Sequence, residues 1–153
     1  MPPIRQAGPD DIAAIAAVID AAYRHYIPII GRTPRPMLDD HAARVARGEH
    51  YLIEHGGRAE AVLTLGPGQR TDALHIFNIA VDPSAQGKGL LRHLLAFAEQ
   101  QARVAGLPWL TLYTHELMTR NRAIYAHLGF TVLGEEDGGG YKIISMQRAV
   151  PAA

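Results

Sequence analysis

The amino-acid sequence predicts a mixed α/β fold, an α+β arrangement in which helices flank a central, mostly antiparallel sheet. Three observations support this fold class. Short apolar runs typical of strands alternate with segments whose apolar residues have helical spacing. Glycine and proline separate these segments. The sequence contains no internal repeat. The expected order of elements is β-α-α-β-β-β-α-β-α-β-β, in a single domain that covers residues 1–153.

The first third of the chain predicts one strand and two helices. Ile4–Gln6 is the first strand, and "GPDDIAAIAAVIDAAYRHY" is a helix whose isoleucines recur at helical spacing, with Asp10 as the expected N-cap. The segment "IPIIGRTPRP" is expected to be a loop, because its prolines remove backbone donors. A second, short helix is expected over Met37–Arg47.

The remaining elements follow from turn residues and periodicity. "HYLIEHGGRAEAVLTLG" predicts a hairpin around Gly56 and Gly57. "ALHIFNIAVDP" predicts a strand that ends at Pro83, and a helix with a wide apolar stripe is expected over Gly87–Ala105. "WLTLYT" predicts a strand, Met118–Leu128 a helix, and "FTVLGEE" with "GYKIISMQ" a last pair of strands.

Composition narrows the class of protein. With 48% hydrophobic and 20% charged residues the chain is typical of a globular domain. Lys+Arg and Asp+Glu both total 15, so no basic excess matches nucleic acid or an anionic membrane, and neither is an expected partner. The absence of Cys, of a signal-peptide pattern and of an apolar run near the roughly 20 residues of a membrane span predicts a cytoplasmic protein.

The segment "VDPSAQGKGLLRHLL", from Val81 to Leu95, places a Gly-Lys-Gly turn between a strand and a helix. It is not a Walker loop, because Asp82 and Gly89 stand where that loop needs Gly and Ser/Thr. It is not the dinucleotide fingerprint either, because Arg92 stands at the last Gly position. The first turn of a helix offers free N–H groups, so the pattern favours either a pyrophosphate site without a metal or a simple connecting turn.

The wider stretch "NIAVDPSAQGKGLLRHLL" resembles the acyl-CoA-binding motif of the GNAT superfamily of N-acetyltransferases. That motif is a strand ending Val-x-Pro, then Gln/Arg-x-x-Gly-x-Gly/Ala opening a helix; Gln86 and Gly89 match it, and Leu91 stands at the Gly/Ala position. The resemblance implies a GNAT-like fold and acetyl-CoA as co-substrate, with no metal. The cofactor-binding residues it implies are Asn78, Ile79, Ala80, Val81, Gln86, Gly87, Lys88, Gly89, Leu90, Leu91, Asn121 and Tyr125.

A second motif lies further along the chain. "MTRNRAIYAHLGF" resembles the family segment Asn-x-x-x-Tyr-x-x-x-Gly-Phe, with Asn121, Tyr125, Gly129 and Phe130 at the matching positions. Some members of the family place the Asn seven residues before the Tyr, where this chain has Met118. The two motifs occur in the family's order, which identifies the chain as a single acetyltransferase domain.

The resemblance also implies roles in acetyl transfer from the CoA thioester to an amine. The backbone of Asn78–Val81 would pair with the pantetheine arm like an added strand, and the N–H near Ala80 or Val81 would polarise the thioester carbonyl. Tyr125 would protonate the departing thiolate, since a phenol and a thiol have reference pKa values of about 10 and about 8.5. The alternative for Tyr125 is an aromatic side chain that only packs its helix.

The general base is left open between two residues. Glu116, in "YTHEL", is the first candidate and His75 the second, each acting directly or through water. "HELMT" is not a zinc motif, because Thr119 stands where the second His belongs. The eight histidines show no other metal-ligand spacing, so no metal is expected, and His50 and His55 are expected to lie at the surface.

The acceptor is expected to bind on the first two helices, with Tyr23 and Tyr26 as walls of its site. Asp39 and Asp40 either attract a cation there or form a solvated helix face. The expected parts of the domain are acceptor-side helices (1–48), a CoA-binding core (73–107) and C-terminal strands and a helix (109–148).

The leading functional hypothesis is N-acetylation of a primary amine of a small molecule or peptide, by direct attack in a ternary complex. A catalytically idle acyl-CoA-binding or sensor module is the alternative, and an acyltransferase for longer acyl chains or hydroxyl acceptors is a third. A homodimer is compatible with each. The sequence leaves the identity of the acceptor open.

Overall fold

A computed structural model describes residues 1–152 of the chain. The predicted mixed α/β fold is confirmed: seven strands form one sheet in the order β1-β2-β3-β4-β5-β7-β6, flanked by helices. The chain divides into two compact units, which are described separately below. The first unit is Met1–Leu65 with Phe77–Phe97, and the second is Gly66–Ile76 with Ala98–Ala153.

The first half of the chain contains three helices, three strands and several 3-10 turns. The helices are α1 (Ile12–Tyr23), α2 (Ile27–Ile30) and α3 (His41–Ala46), and the strands are β1 (Arg5–Gln6), β2 (His50–His55) and β3 (Arg58–Pro67). Both β1 with β2 and β2 with β3 pair antiparallel. The expected hairpin is present, and Gly56 and Gly57 form its turn with φ of 60° and 77°.

The second half contains the remaining elements in the predicted order. They are β4 (Ala73–Val81), α4 (Leu90–Val104), β5 (Trp109–His115), α5 (Thr119–His127), β6 (Thr131–Asp137) and β7 (Lys142–Ala149). Ala73–Ile76 of β4 pairs parallel with Trp109–Leu112 of β5, whereas β7 pairs antiparallel with both β5 and β6.

The prediction that Asp10 caps the first helix is wrong. A 3-10 turn precedes α1, and the carboxylate of Asp11 accepts the Gly8 N–H at 2.8 Å. Arg5 donates to both oxygens of that carboxylate at 2.8 Å and to Glu54 Oε1 at 2.6 Å. These contacts, which we call the Arg5 staple, join β1 to the start of α1 and to β2. The Arg5 hydrogen bond, aided by the Gly8 N–H, lowers the pKa of Asp11 to about 2.

Three other boundaries differ from prediction. The expected loop "IPIIGRTPRP" contains the single turn of α2. The helix expected over Met37–Arg47 begins only at His41, because Met37 lies in a 3-10 turn and the Asp40 carboxylate accepts the Ala43 N–H at 3.0 Å as an N-cap. Likewise α4 begins at Leu90, not at Gly87, since the preceding glycines are not helical.

The apolar stripe of α4 is buried as its spacing predicts. Leu94 and Ala98 are fully buried, and Leu90 and Leu95 are each 5% exposed. Burial of a leucine side chain stabilises a fold by about 1.5–3 kcal/mol. These contacts fix the axis of the helix and therefore the position of its first turn.

The helical stretch Pro9–Ile30 is, by its length of 22 residues and its composition, able to span a membrane, which differs from the sequence expectation. The interior helix of a folded domain meets the same criteria, and Ile15, Val18 and Ile19 of this stretch are buried within the protein.

The prediction that His50 lies at the surface is also wrong. His50 is 1% exposed, its Nδ1 is 2.8 Å from Thr64 Oγ1, and its Nε2 is 3.1 Å from His41 Nδ1. Burial, together with the His41 charge, lowers the pKa of His50 to about 4 from an ordinary value of 6.5. The side chain is therefore a neutral, hydrogen-bonded part of the core at pH 7.

This burial predicts a loss of stability on acidification. Between pH 6.5 and about 4 the unfolded chain binds a proton at His50 that the folded chain does not, so the free energy of unfolding falls as the pH drops. The loss attributable to His50 is at most about 3 kcal/mol. Urea unfolding of wild type and His50→Gln at several pH values from 7 to 4.5 measures it. The two curves should converge as the pH falls; parallel curves would contradict the assignment.

Candidate active site

The segment that follows β4 is anchored to β3 within the first unit. The Asp82 carboxylate accepts the Ser84 N–H at 3.0 Å and the Ser84 hydroxyl at 2.7 Å, which lowers the pKa of Asp82. The Asp82 N–H donates to the Glu60 carbonyl at 2.8 Å, and Arg58 lies 3.6 Å from the Asp82 carboxylate. The chain therefore enters the Gly-Lys-Gly turn from a fixed point.

The turn itself has the geometry of an anion-binding loop. Gly87 and Gly89 have φ of 83° and 79°, in the left-handed region that favours glycine. All four residues from Gln86 to Gly89 are exposed, and the turn leads directly into the first turn of α4, whose N–H groups lack helical partners. The Lys88 side chain is exposed, and its Nζ lies 3.3 Å from Glu60 Oε2. These residues fit a pyrophosphate, which would bind the N–H groups directly.

A matched pair of glycine substitutions tests this loop. Gly87→Ala and Gly57→Ala place a Cβ at nearly equal φ, 83° and 77°, and in both cases no atom lies within 4 Å of it. Each should destabilise the fold by about 1–2 kcal/mol through backbone strain. Only Gly87→Ala should also weaken acetyl-CoA binding, measured by calorimetry, by about tenfold. Equal affinities in the two variants would remove the turn from the binding site.

The strand before the turn, β4, is largely buried in its second half. Asn78 is 4%, Ile79 7% and Ala80 3% exposed, while Val81 is half-buried. Within residues 1–152, neither amide atom of the Asn78 side chain has a hydrogen-bond partner, although both atoms are buried. Such groups are uncommon in folded proteins, and they often belong to a binding site.

Tyr125 and Asn121 lie on α5 in the second unit, one helical turn apart on the same face. Tyr125 is 9% exposed, and its ring meets that of Phe130 edge-on at 5.9 Å between centroids. The Phe130 N–H donates to the Tyr125 carbonyl at 3.0 Å past the end of the helix. Asn121 Nδ2 lies 3.9 Å from Met118 Sδ, so the two positions at which the family places its asparagine are neighbours here.

Glu116 joins two chain segments. Its Oε2 accepts the Lys142 N–H at 2.9 Å, and its own N–H donates to the Lys142 carbonyl at 3.0 Å. These bonds connect the residue after β5 to the first residue of β7. One carboxylate oxygen is therefore already used in holding the fold.

His75 lies in a tight, aromatic environment in the second unit. It is 3% exposed, and its Nδ1 is 2.8 Å from Thr111 Oγ1 on the neighbouring strand. The Tyr113 ring packs against it at 4.6 Å between centroids, and a Cβ at position 68 would approach the His75 Cβ to 2.8 Å. Gly68 is therefore required by the position of the imidazole ring, which Thr111 orients.

The residues expected at the acceptor side are mostly engaged within the first unit. Tyr23 and Tyr26 are 6% and 3% exposed, with ring centroids 6.4 Å apart. Asp39 accepts a hydrogen bond from Arg44 Nε at 2.9 Å, and the Arg44 guanidinium lies 4.0 Å from the centre of the Phe77 ring. The cation that Asp39 binds is thus the Arg44 guanidinium, a side chain of the same unit.

The structure groups the predicted site residues by unit. The segment Asn78–Val81 and the Gly-Lys-Gly turn are contiguous in the first unit, whereas the second unit contains Tyr125, Asn121, Glu116 and His75. Among residues 1–152 no group of three or more His, Cys, Asp or Glu side chains has the arrangement of a metal site. The sequence signals missed the Thr111 partner of His75 and the unpaired amide of Asn78, because both depend on contacts between distant residues.

The fold, the strand–turn–helix and the helix that carries Asn121 and Tyr125 are those expected of the GNAT class of acetyltransferases. The model of the Acetyltransferase (GNAT) family matches residues 15–130, so the chain belongs to this family. Two mycothiol acetyltransferases are similar over shorter segments: that of Beutenbergia cavernae is 43% identical over 56 residues and that of Nocardioides sp. 32% over 84 residues. The segments cover 37% and 55% of this chain but only 19% and 27% of those proteins.

Solved structures support the same fold. The N-acetylglutamate synthase of Neisseria gonorrhoeae, complexed with coenzyme A and N-acetyl-glutamate, has a TM-score of 0.75 at 25% identity over 99% of this chain and 36% of its own. The ribosomal-protein-S18-alanine N-acetyltransferase of Escherichia coli has a TM-score of 0.73 at 21% identity, with 100% and 96% covered. The PaiA N-acetyltransferase of Thermoplasma acidophilum, in complex with coenzyme A, has a TM-score of 0.78 at 16% identity, with 97% and 99% covered.

Proposed function

We propose that this protein transfers the acetyl group of acetyl-CoA to a primary amine of a small molecule or peptide, by direct attack in a ternary complex. The observation that carries the proposal is the exposed turn with Gly87 and Gly89 in left-handed conformation, placed between β4 and the first turn of α4. A turn of this kind binds pyrophosphate through backbone N–H groups without a metal. CoA-containing relatives of the same fold support the choice of ligand.

In the proposed reaction the amine nitrogen attacks the thioester carbon, and the C–S bond breaks as the amide forms. The amine loses one proton to a base, and the CoA thiolate gains one from the Tyr125 hydroxyl, so the products are the N-acetyl amine and CoA thiol. The backbone N–H near Ala80 or Val81 stabilises the negative charge that develops on the thioester oxygen. Stabilisation of this type is often the largest single contribution to acyl transfer.

Of the two candidate bases, the contacts favour His75. Glu116 uses one carboxylate oxygen to accept the Lys142 N–H, whereas Thr111 Oγ1 lies 2.8 Å from His75 Nδ1; with Nδ1–H donating to that oxygen, Nε2 would be the nitrogen that takes the proton. A side chain held by a neighbour in this way is pre-oriented for catalysis.

The relatives differ in the acceptors that their names give. They include an alanine N-acetyltransferase of a ribosomal protein, a synthase that forms N-acetylglutamate and mycothiol acetyltransferases. The acceptor proposed here is therefore kept to the shared chemistry, an amine nitrogen.

The test is thiol release from acetyl-CoA, followed with a thiol-reactive dye against a panel of amines. The chain has no Cys, so the protein adds no thiol background. Acceptor-dependent release, with the acetylated amine identified by mass spectrometry, is the expected result. No release with any amine, while acetyl-CoA still raises the melting temperature, would contradict the proposal and favour a binding module.

A further inference from the structure

The buried amide of Asn78, in the first unit, is a polar group that the fold itself leaves unexplained. The residue is 4% exposed, and within residues 1–152 neither Oδ1 nor Nδ2 has a hydrogen-bond partner. Folded proteins pair the great majority of buried polar side-chain atoms, because an unpaired donor or acceptor retains its full desolvation cost. A near-isosteric leucine would have avoided that cost.

The position of Asn78 along β4 indicates what it meets. The strand runs from Asn78 through Ala80 to the Gly-Lys-Gly turn, and side chains two residues apart lie on the same face, about 7 Å from one another. For a ligand whose pyrophosphate lies at the turn and whose thioester lies beside Ala80 or Val81, Asn78 is the residue of this stretch farthest from the pyrophosphate. Asn78 lies on the side of the thioester away from the pyrophosphate, where the acceptor must approach. This step rests on the proposed function.

The chemistry of the side chain then selects the acceptor. Oδ1 accepts one N–H, and a neutral amine that gives one N–H to it keeps its lone pair available for the thioester carbon. Nδ2 needs an oxygen close to that nitrogen. An amine with a carbonyl on the adjacent carbon supplies both groups, and an alkylamine supplies only the first.

We infer that Asn78 is a specificity-determining residue that binds the α-aminoacyl group of the acceptor, with Oδ1 accepting an amine N–H and Nδ2 donating to the neighbouring carbonyl oxygen. The α-aminoacyl group is common to amino acids, amino-acid amides and peptide N-termini. Both amide atoms are shielded from water in the free protein, so the acceptor displaces the atoms that cover them as it binds. Shielding from water also strengthens the two hydrogen bonds once they form.

The experiment compares two acceptors of similar shape in wild type and Asn78→Leu. Alaninamide carries the carbonyl in its carboxamide group, and sec-butylamine has an ethyl group in place of that carboxamide. We expect Asn78→Leu to lower kcat/KM for alaninamide by about tenfold or more and to change that for sec-butylamine less than twofold. The ratio between proteins cancels the different intrinsic reactivities of the amines. Free alanine and alanylglycine, run alongside, distinguish an amino-acid from a peptide source.

Two further measurements separate positioning from a structural role. The implied pairing of Asn78 with the pantetheine arm uses its backbone, so Asn78→Leu, which changes only the side chain, should keep the wild-type affinity for acetyl-CoA. It should melt no lower than wild type, since it removes an unpaired amide. Thr114→Val, which removes a buried hydroxyl that likewise has no partner among residues 1–152, gives the thermal comparison. Asn78→Ser, which keeps a polar group, should lose less alaninamide activity than Asn78→Leu.

The outcomes distinguish this inference from the proposed function. A wild-type protein inactive with every amine overturns both. An active wild type whose preference for alaninamide survives in Asn78→Leu overturns the inference alone. So does a variant that loses both acceptors equally or weakens acetyl-CoA, because the amide would then serve the fold or the pantetheine arm.

Discussion

Replacing Tyr125 by phenylalanine should lower kcat by about 10²–10⁴-fold, the range associated with loss of a positioned general acid. The phenylalanine ring keeps the edge-on contact with Phe130, and the loss of packing is small because the substitution removes only the hydroxyl. The expected effect is therefore chemical: the CoA thiolate must leave without a proton. Steady-state thiol release at saturating acetyl-CoA and amine measures it.

The control is Tyr51→Phe, which removes the same hydroxyl from a ring that packs on Phe97 at 4.9 Å in the first unit. That variant should keep both the wild-type kcat and the wild-type affinity for acetyl-CoA. A Tyr125→Phe protein with more than about half of wild-type kcat would assign Tyr125 to packing instead of proton transfer.

Replacing His75 by glycine should lower kcat/KM for the amine by about 10²-fold or more, because the proposed base is removed. Added imidazole should restore part of the rate by occupying the space beside Thr111 and Gly68. Titration of imidazole at fixed pH, with the melting temperature followed in parallel, separates rescue of catalysis from rescue of folding.

Glu116→Gln is the matched variant for the other candidate base. Glutamine keeps an oxygen for the Lys142 N–H but cannot take a proton, so this variant should retain both rate and melting temperature. A large loss of rate in Glu116→Gln, together with near-normal activity in His75→Gly, would reverse the assignment.

The sequence predicts the local parts of this molecule well. The glycines at 56 and 57 predicted the hairpin, and the apolar spacing after Gly89 predicted α4. Both elements could be predicted because they depend on residues close in the chain. Asp10 and Asp11 compete for the same cap, and the choice depends on Arg5 and Glu54, which join only after folding. The start of α3 depends in the same way on which of two adjacent aspartates points back to the Ala43 N–H.

In the candidate site, too, features set by one segment could be predicted, and features set by contacts between distant residues could not. Gly87, Gly89 and Tyr125 could be found from their spacing in one segment. The burial of His50 could not, since its partners Thr64 and His41 come from another strand and from α3. The contacts of His75 with Thr111, and of Glu116 with Lys142, likewise join residues far apart in the chain.

The Arg5 staple has a consequence for the order of events in acid. Its carboxylate stabilises the fold at every pH above the ordinary value of 3.8 and loses that effect only as the pH falls through about 2. The buried His50 begins to oppose folding at pH 6.5 and has its full effect by about 4. Between pH 6.5 and about 4, acid therefore destabilises the first unit through His50 while the Arg5 staple still holds β1 to the start of α1 and to β2.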